Sequence, residues 1–221
     1  MALLPDGRLV ASANGDFLCG DPVEQKFACA ILIQVELSNG VVSIVGIMGE
    51  SETTCGRFPD LTYDAATDTL YAYGDFCSDG PEGLYTVNKS TGLATPVGGF
   101  SGFVSGGNGL AINPNNSIMY GTPNDFECLV TFDLLTGAGT CIPGSNGDQT
   151  NTTNALDFGP NGLLYGSLKE DGVNSLVTID ITDGNTSIIG QTALGLDAIA
   201  FGPPGVFISK VVNKSNVPTL S

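Results

Sequence analysis

Carboxylates are the side chains through which this 221-residue chain could do chemistry: 23 Asp and Glu stand against 7 Lys and Arg, and His is absent. Without imidazole there is no Ser-His-Asp or Cys-His nucleophile and no His-ligated zinc, and the commonest general base is missing. A metal would have to be held by oxygen, and Asp180, Asp183 and Asn185 in DITDGN make the segment nearest to a calcium loop. The same place elsewhere in the chain reads SNG, STG and LTG, and EF-hand spacing is absent, so these residues read more simply as turn formers. Asp75, Asp79 and Glu82 around Cys77, and Asp16 and Asp21 flanking Cys19, make two acidic loops that read as solvated. The Gly-rich run 101–109 lacks Lys and a following helix, so it reads as a connection and not as a phosphate cradle. No catalytic pair stands out and no cofactor is called for; the chain is read as a non-enzyme.

Six cysteines, Cys19, Cys29, Cys55, Cys77, Cys128 and Cys141, contain no C-x-x-C pair and sit mostly beside Gly, Asp and Ser. That pattern favours three disulfides and an oxidising compartment over a zinc site. Among the connectivities that six cysteines allow, sequence neighbours are expected: 19 with 29, 55 with 77, and 128 with 141. Asn88, Asn115, Asn151, Asn185 and Asn213 each open an Asn-x-Ser/Thr sequon, which permits glycosylation of an exported surface. The net charge of −16 repels nucleic acid and anionic membranes, and no apolar run is long enough to span a bilayer. With 42% hydrophobic and 14% charged residues, the chain is expected to fold and not to be disordered.

The elements that position these residues come from an internal repeat. The segments 3–12 (LLPDGRLVAS), 61–74 (LTYDAATDTLYAYG), 110–122 (LAINPNNSIMYGT), 156–167 (LDFGPNGLLYGS) and 199–209 (IAFGPPGVFIS) share an apolar strand, a Pro/Asn/Asp/Gly turn and an apolar-aromatic strand. They are anchored on Val10, Tyr71, Tyr120, Tyr165 and Phe207, whose recurrence in register marks them as core between units and not as a sugar-stacking platform. A second hairpin follows each of the first four, at 31–46, 83–98, 129–144 and 176–190; in the last, Val177, Ile179 and Ile181 alternate with Thr178 and Asp180. No window sustains a helical period free of Gly and Pro.

Four short strands per unit is the grammar of a propeller blade. Over about residues 2–209 the chain resembles the broad YVTN/NHL-like family of bacterial β-propellers, whose blades carry the strand, Pro-Asn-Gly turn, Leu-Tyr-Gly and Asp-x-x-Thr-Gly pattern seen here. The expected fold is all-β: a β-propeller-like repeat of four-stranded antiparallel units, four complete units plus a C-terminal strand pair. Val217-Pro218-Thr219-Leu220-Ser221 resembles the opening of a bacterial IPTL/PEP-CTERM-type sorting signal. That resemblance implies export and processing near this point, because the family's Glu-Trp-Gly continuation, helix and basic cluster do not follow. Met1-Ala2-Leu3-Leu4-Pro5 shows no signal-peptide pattern, so a leader is expected to have been removed. The expected domains are a repeat domain over 1–212 and a linker, a remnant of the sorting signal, over 213–221.

The count of strands leaves a half-unit at the C-terminus. It either caps the first blade within a small or incomplete ring or presents an open edge, and GVFISKVV, with Val206, Ile208 and Val211, is the candidate for strand addition to another copy. The expected function is therefore an exported, extracellular or cell-surface structural or adhesive protein, with copies of itself as partners. The alternative is a module binding surface glycans or peptides through the insertions 13–30 and 74–82; a carboxylate-based hydrolase or lyase ranks last.

Overall fold

Polar turns cut the chain into short strands, and one turn recurs in every unit. The structure is a computed structural model that describes residues 1–18, 28–49, 56–76, 82–99, 101–102, 107–123, 128–144, 153–202 and 207–211. Its strands are β1 (Ala2–Leu3), β2 (Leu9–Leu18), β3 (Ala28–Val35) and β4 (Val42–Ile47) in blade 1. Blade 2 holds β6 (Leu61–Asp64), β7 (Thr69–Phe76), β8 (Gly83–Val87) and β9 (Ala94–Pro96), with a short β5 (Gly56–Arg57) also paired to β7. Blade 3 holds β10 (Gly107–Ile112), β11 (Met119–Pro123), β12 (Val130–Phe132) and β13 (Gly139–Cys141). Blade 4 holds β14 (Thr153–Phe158), β15 (Leu164–Glu170), β16 (Val173–Ile179) and β17 (Thr186–Gln191). A fifth sheet has two strands, β18 (Leu196–Phe201) and β19 (Phe207–Val211). All pairs are antiparallel and, apart from β5 with β7, join strands consecutive in the chain, the signature of a β-propeller blade.

The recurrent turn joins the third strand of a blade to its fourth. The Asn88 side chain accepts the Ser90 and Thr91 N–H groups at 2.9 and 3.0 Å, and Gly92 N–H closes onto the Asn88 carbonyl at 2.8 Å. Asp133 does the same for Leu135 and Thr136, and Asp180 for Thr182. The closing residue is Gly40, Gly92, Gly137 or Gly184, each at positive φ, where a side chain would be strained.

Inner strands β1, β6, β10, β14 and β18 stand around one axis, each touching the next, and β18 closes the circle between β14 and β1. The C-terminal pair thus caps the first blade. Between blades lie separate apolar cores: Val10, Leu32, Phe58, Leu70 and Tyr85 between blades 1 and 2; Tyr71, Leu84, Leu110 and Val130 between 2 and 3; Tyr120, Leu129, Phe158 and Val177 between 3 and 4. Strands covered on both faces read as unbroken apolar runs, as in the fully buried Ala30-Ile31-Leu32-Ile33. The Gly-rich run 101–109 is corrected in part: Gly107, Asn108 and Gly109 already belong to β10. Among the described residues, no helix is long and apolar enough to cross a membrane.

Candidate functional site

An inner strand has one edge turned to the axis, so its N–H groups there need acceptors other than a neighbouring strand. Asp60 supplies them. Buried just before β6, its carboxylate accepts Leu61 N–H at 2.8 Å, Leu110 N–H at 2.9 Å, Leu156 N–H at 3.5 Å and the Met1 ammonium at 2.7 Å. One side chain thereby ties the inner strands of blades 1 to 4. Burial pushes this carboxyl up from its ordinary value, against the pull of the ammonium. One step along, Thr62 Oγ1 accepts Ile112 N–H at 3.1 Å, and Asp157 accepts Phe158 N–H at 2.8 Å and Phe201 N–H at 2.5 Å. Asp157 joins blade 4 to β18. Burial, with the nearby Asp60 charge adding to it, pushes its carboxyl up to about 7.

A cavity of about 280 Å³ opens at this end of the axis, lined by Met1, Ala2, Leu3, Thr62, Tyr63, Asp64, Ala65, Ala66, Ile112, Pro114, Asp157, Phe158 and Phe201. Its two carboxylates are engaged. Asp64 accepts from Ala66 N–H at 3.1 Å, Thr67 Oγ1 at 2.7 Å and Ser117 Oγ at 3.3 Å, while Asp157 holds the two backbone N–H groups above. The arrangement orders strands; it does not present a free acid-base pair.

Neither Asp60 nor Asp157 stands out in the sequence until the units are overlaid. Register sets Ala2, Thr62, Ala111 and Ala200 at the place of Asp157, opposite Val10, Tyr71, Tyr120 and Ile208, so the anchor of the fifth unit is corrected from Phe207, which matches Leu164, to Ile208, which matches Tyr165. It sets Gly109, Ala155 and Ala198 at the place of Asp60. A carboxylate where the other units carry small residues is the signal that could have found both.

Residues expected from sequence are placed as follows. Cys128, two residues before β12, and Cys141, at the end of β13, form a disulfide with Cα atoms 5.7 Å apart. Cys29 lies on β3, and Cys19, Cys55 and Cys77 lie outside the described residues. Asn88, Asn115 and Asn185 are exposed on turns; Asn151 and Asn213 lie outside the described residues. In DITDGN, Asp180 accepts Thr182 N–H and Oγ1 at 2.8 and 2.6 Å, and Asp183 accepts Asn185 N–H and Nδ2 at 2.9 and 2.7 Å, as turn formers do. Those bonds hold the Asp180 carboxyl below its ordinary value. Tyr71 and Tyr120 are buried between blades, and Tyr165 packs on Phe201 with ring centroids 4.9 Å apart. Most of the insertions 13–30 and 74–82, Asp21 and Asp79 included, and Val206 lie outside the described residues.

The second candidate site is the half-filled fifth position. β19 pairs with β18 through Phe201↔Phe207, Ala200↔Ile208 and Leu196↔Val211; among the described residues its other edge has no partner. The neighbouring blades record what is missing. In the outer strands, Val45 and Ile189 stand at the register shift of β4 and β17, and Val97 and Ile142 directly after the last cross-strand pair of β9 and β13; Val45, Val97 and Ile142 pack on the core shared with the next blade, whereas Ile189 is 55% exposed. The next residue is Gly46, Gly98 or Gly190 in blades 1, 2 and 4. A Cβ at Gly46 or Gly98 would lie 1.9 or 2.0 Å from the Thr91 or Thr136 carbonyl of the next blade's turn, whereas Gly190 meets nothing within 4 Å. On the opposite wall, cross-strand pairs Ile33↔Ile44 and Ile31↔Ile47 put Ile44 and Ile47 on the face of blade 1 that meets β18, and they are 37% and 49% exposed. Among the described residues, the fifth sheet thus stops at two strands, while the sheets on either side of it continue to β17 and β4.

No protein-family model and no curated protein matches the chain. Solved structures that resemble it include one of a nidogen/laminin complex (TM-score 0.60, 11% identity, covering 89% of this chain and 66% of that one). A gluconolactonase-like protein follows at TM-score 0.53 and 15% identity, covering 91% and 66%. The calcium-binding protein regucalcin from Agrobacterium tumefaciens gives TM-score 0.50 and 17% identity, covering 80% and 61%. The chain spans less than two thirds of the length of each. At these identities the likeness shows the fold alone, a β-propeller.

Proposed function

We propose that this chain is an exported structural protein of a bacterial cell surface, non-enzymatic, that joins copies of itself by β-strand addition at its C-terminal ribbon. The observation that carries the reading is the fifth sheet, which among the described residues has two strands and no partner on the outer edge of β19, with Ile44, Ile47 and Ile189 exposed on the outer strands of blades 1 and 4. Unpaired edges with apolar flanks recruit further strands. The Cys128–Cys141 bridge supports an oxidising compartment. The engagement of Asp60, Asp64 and Asp157 in holding strands supports a structural role over catalysis. Electron microscopy and light scattering on the full chain, beside a chain lacking residues 205–221, test the proposal. Oligomers or filaments formed only by the full chain are expected; a monomeric full chain, or assembly unchanged by the deletion, overturns it.

A further inference from the structure

The cavity at the end of the axis is lined by a one-sided set of polar groups. All thirteen residues that line it are described, and the turns from β1 to β2, β6 to β7, β10 to β11 and β14 to β15 stand at this end. The β2–β3 and β7–β8 connections, which carry the insertions 13–30 and 74–82, leave from the opposite ends of antiparallel strands, so the cavity is a surface separate from theirs.

Its walls accept hydrogen bonds more than they donate them. Asp64 and Asp157 are the charged side chains of the lining, which holds neither Lys nor Arg, and the Met1 ammonium is already held by Asp60 at 2.7 Å. A carboxylate can accept about four hydrogen bonds, and Asp157 takes one N–H on each oxygen, from Phe158 and Phe201, so half of its capacity is unused. Those two neutral dipoles do not offset burial, which is why its carboxyl stands at about 7. Phe158, Ile112, Pro114 and Phe201 supply an apolar wall beside it. Such a lining repels anions. A metal ion would need more oxygens at one point, and among the described residues no group of three Asp, Glu or Cys could hold one. The volume of about 280 Å³ equals that of roughly nine waters, which limits a guest to about ten non-hydrogen atoms. The net charge of −16 draws cations toward it.

We infer that this cavity is a binding site for a small organic cation, a primary ammonium on a compact apolar body, with the ammonium on the Asp157 carboxylate and the body against Phe158, Ile112 and Pro114. The site stands apart from the self-association reading, because none of its residues belongs to β19 or to an outer strand.

Isothermal titration calorimetry of the full chain with cyclohexylamine, cyclohexanol and cyclohexanecarboxylate tests it, since the three share one body and differ in charge. The amine is expected to bind at one site with a Kd of about 1 mM or below, at least about tenfold tighter than the alcohol, and the carboxylate not at all. From about pH 5.5 to about pH 8.5, across which the amine keeps its proton, its affinity should rise by up to about 30-fold as Asp157 ionises. The charged and titratable groups facing Asp157 are Asp60, beside β6, the Met1 ammonium, beside β1, and Asp64 and Tyr63 across the cavity. Asp157→Asn should abolish the preference for amine over alcohol. Ala66→Phe, on an exposed turn of the lining, fills the space and keeps both carboxylates; it should abolish amine binding while circular dichroism and melting are unchanged. No saturable binding of the amine, equal affinity for amine and alcohol, or amine binding that survives Ala66→Phe overturns the proposal.

Discussion

Asp157 is the residue whose titration the fold has altered most usefully. An unfolded Asp ionises near pH 4, whereas in the folded chain burial pushes this carboxyl to about 7. Between those values the folded chain keeps a proton that the unfolded chain has lost, so this residue's contribution is fully present below about pH 4 and is lost as pH rises through 7. Asp157→Asn removes the dependence. The melting temperature of the unaltered chain minus that of the variant should fall by a few degrees between pH 4.5 and 7.5, roughly 1–2 kcal/mol after solvent screening at the cavity mouth. A difference that does not move with pH refutes the assignment. The same residue shows where sequence reading stops. DITDGN is legible as a turn because an Asx turn is a local event, written in a few adjacent residues. Asp60 and Asp157 act on strands 44 to 96 positions away, and only the register of the units brings those partners to one axis.

At the scale of elements the repeat was legible nearly in full, since alternation, polar turns and the glycines that close them are all local. What was not legible is β5, two residues whose pairing to the far end of β7 is set by the tertiary path, and the start of β10 inside a Gly-rich run that carries no strand signal of its own. Equivalent glycines in different blades also differ in a way no single unit reveals. Gly46 lies against the turn of the next blade and Gly190 lies against nothing. Gly46→Ala should therefore destabilise the chain by about 2–3 kcal/mol through forced displacement of the Thr91 turn, and Gly190→Ala by less than about 0.5 kcal/mol. Urea denaturation of both measures this; equal effects would mean that the fifth position is filled.

For the whole molecule, the likeness to longer propellers explains the composition. Gly and Pro punctuate the strands, and few charges are needed where most strand faces meet another blade. The Cys128–Cys141 pairing and the four complete units were open to the sequence, whereas the manner of closure was not, because it depends on two carboxylates, Asp60 and Asp157, with partners far along the chain. Asp60 also bears on the order in which the molecule forms. Hairpins such as β10–β11 and β15–β16 are joined by short connections and can form early, but Asp60 binds Met1, Leu110 and Leu156 across 59, 50 and 96 residues, and those bonds require the inner strands of blades 1 to 4 to have gathered at the axis. Asp60→Asn, which leaves the Met1 ammonium buried without a charge partner, is expected to cost about 3 kcal/mol. If closure follows the rate-limiting step, stopped-flow refolding rates should hold within about twofold while unfolding accelerates roughly 100-fold, a φ-value near zero. Refolding slowed in proportion to the lost stability would place closure inside the nucleus. With closure last, the life of the finished ring against unfolding is set largely by how long a single buried side chain keeps its four partners.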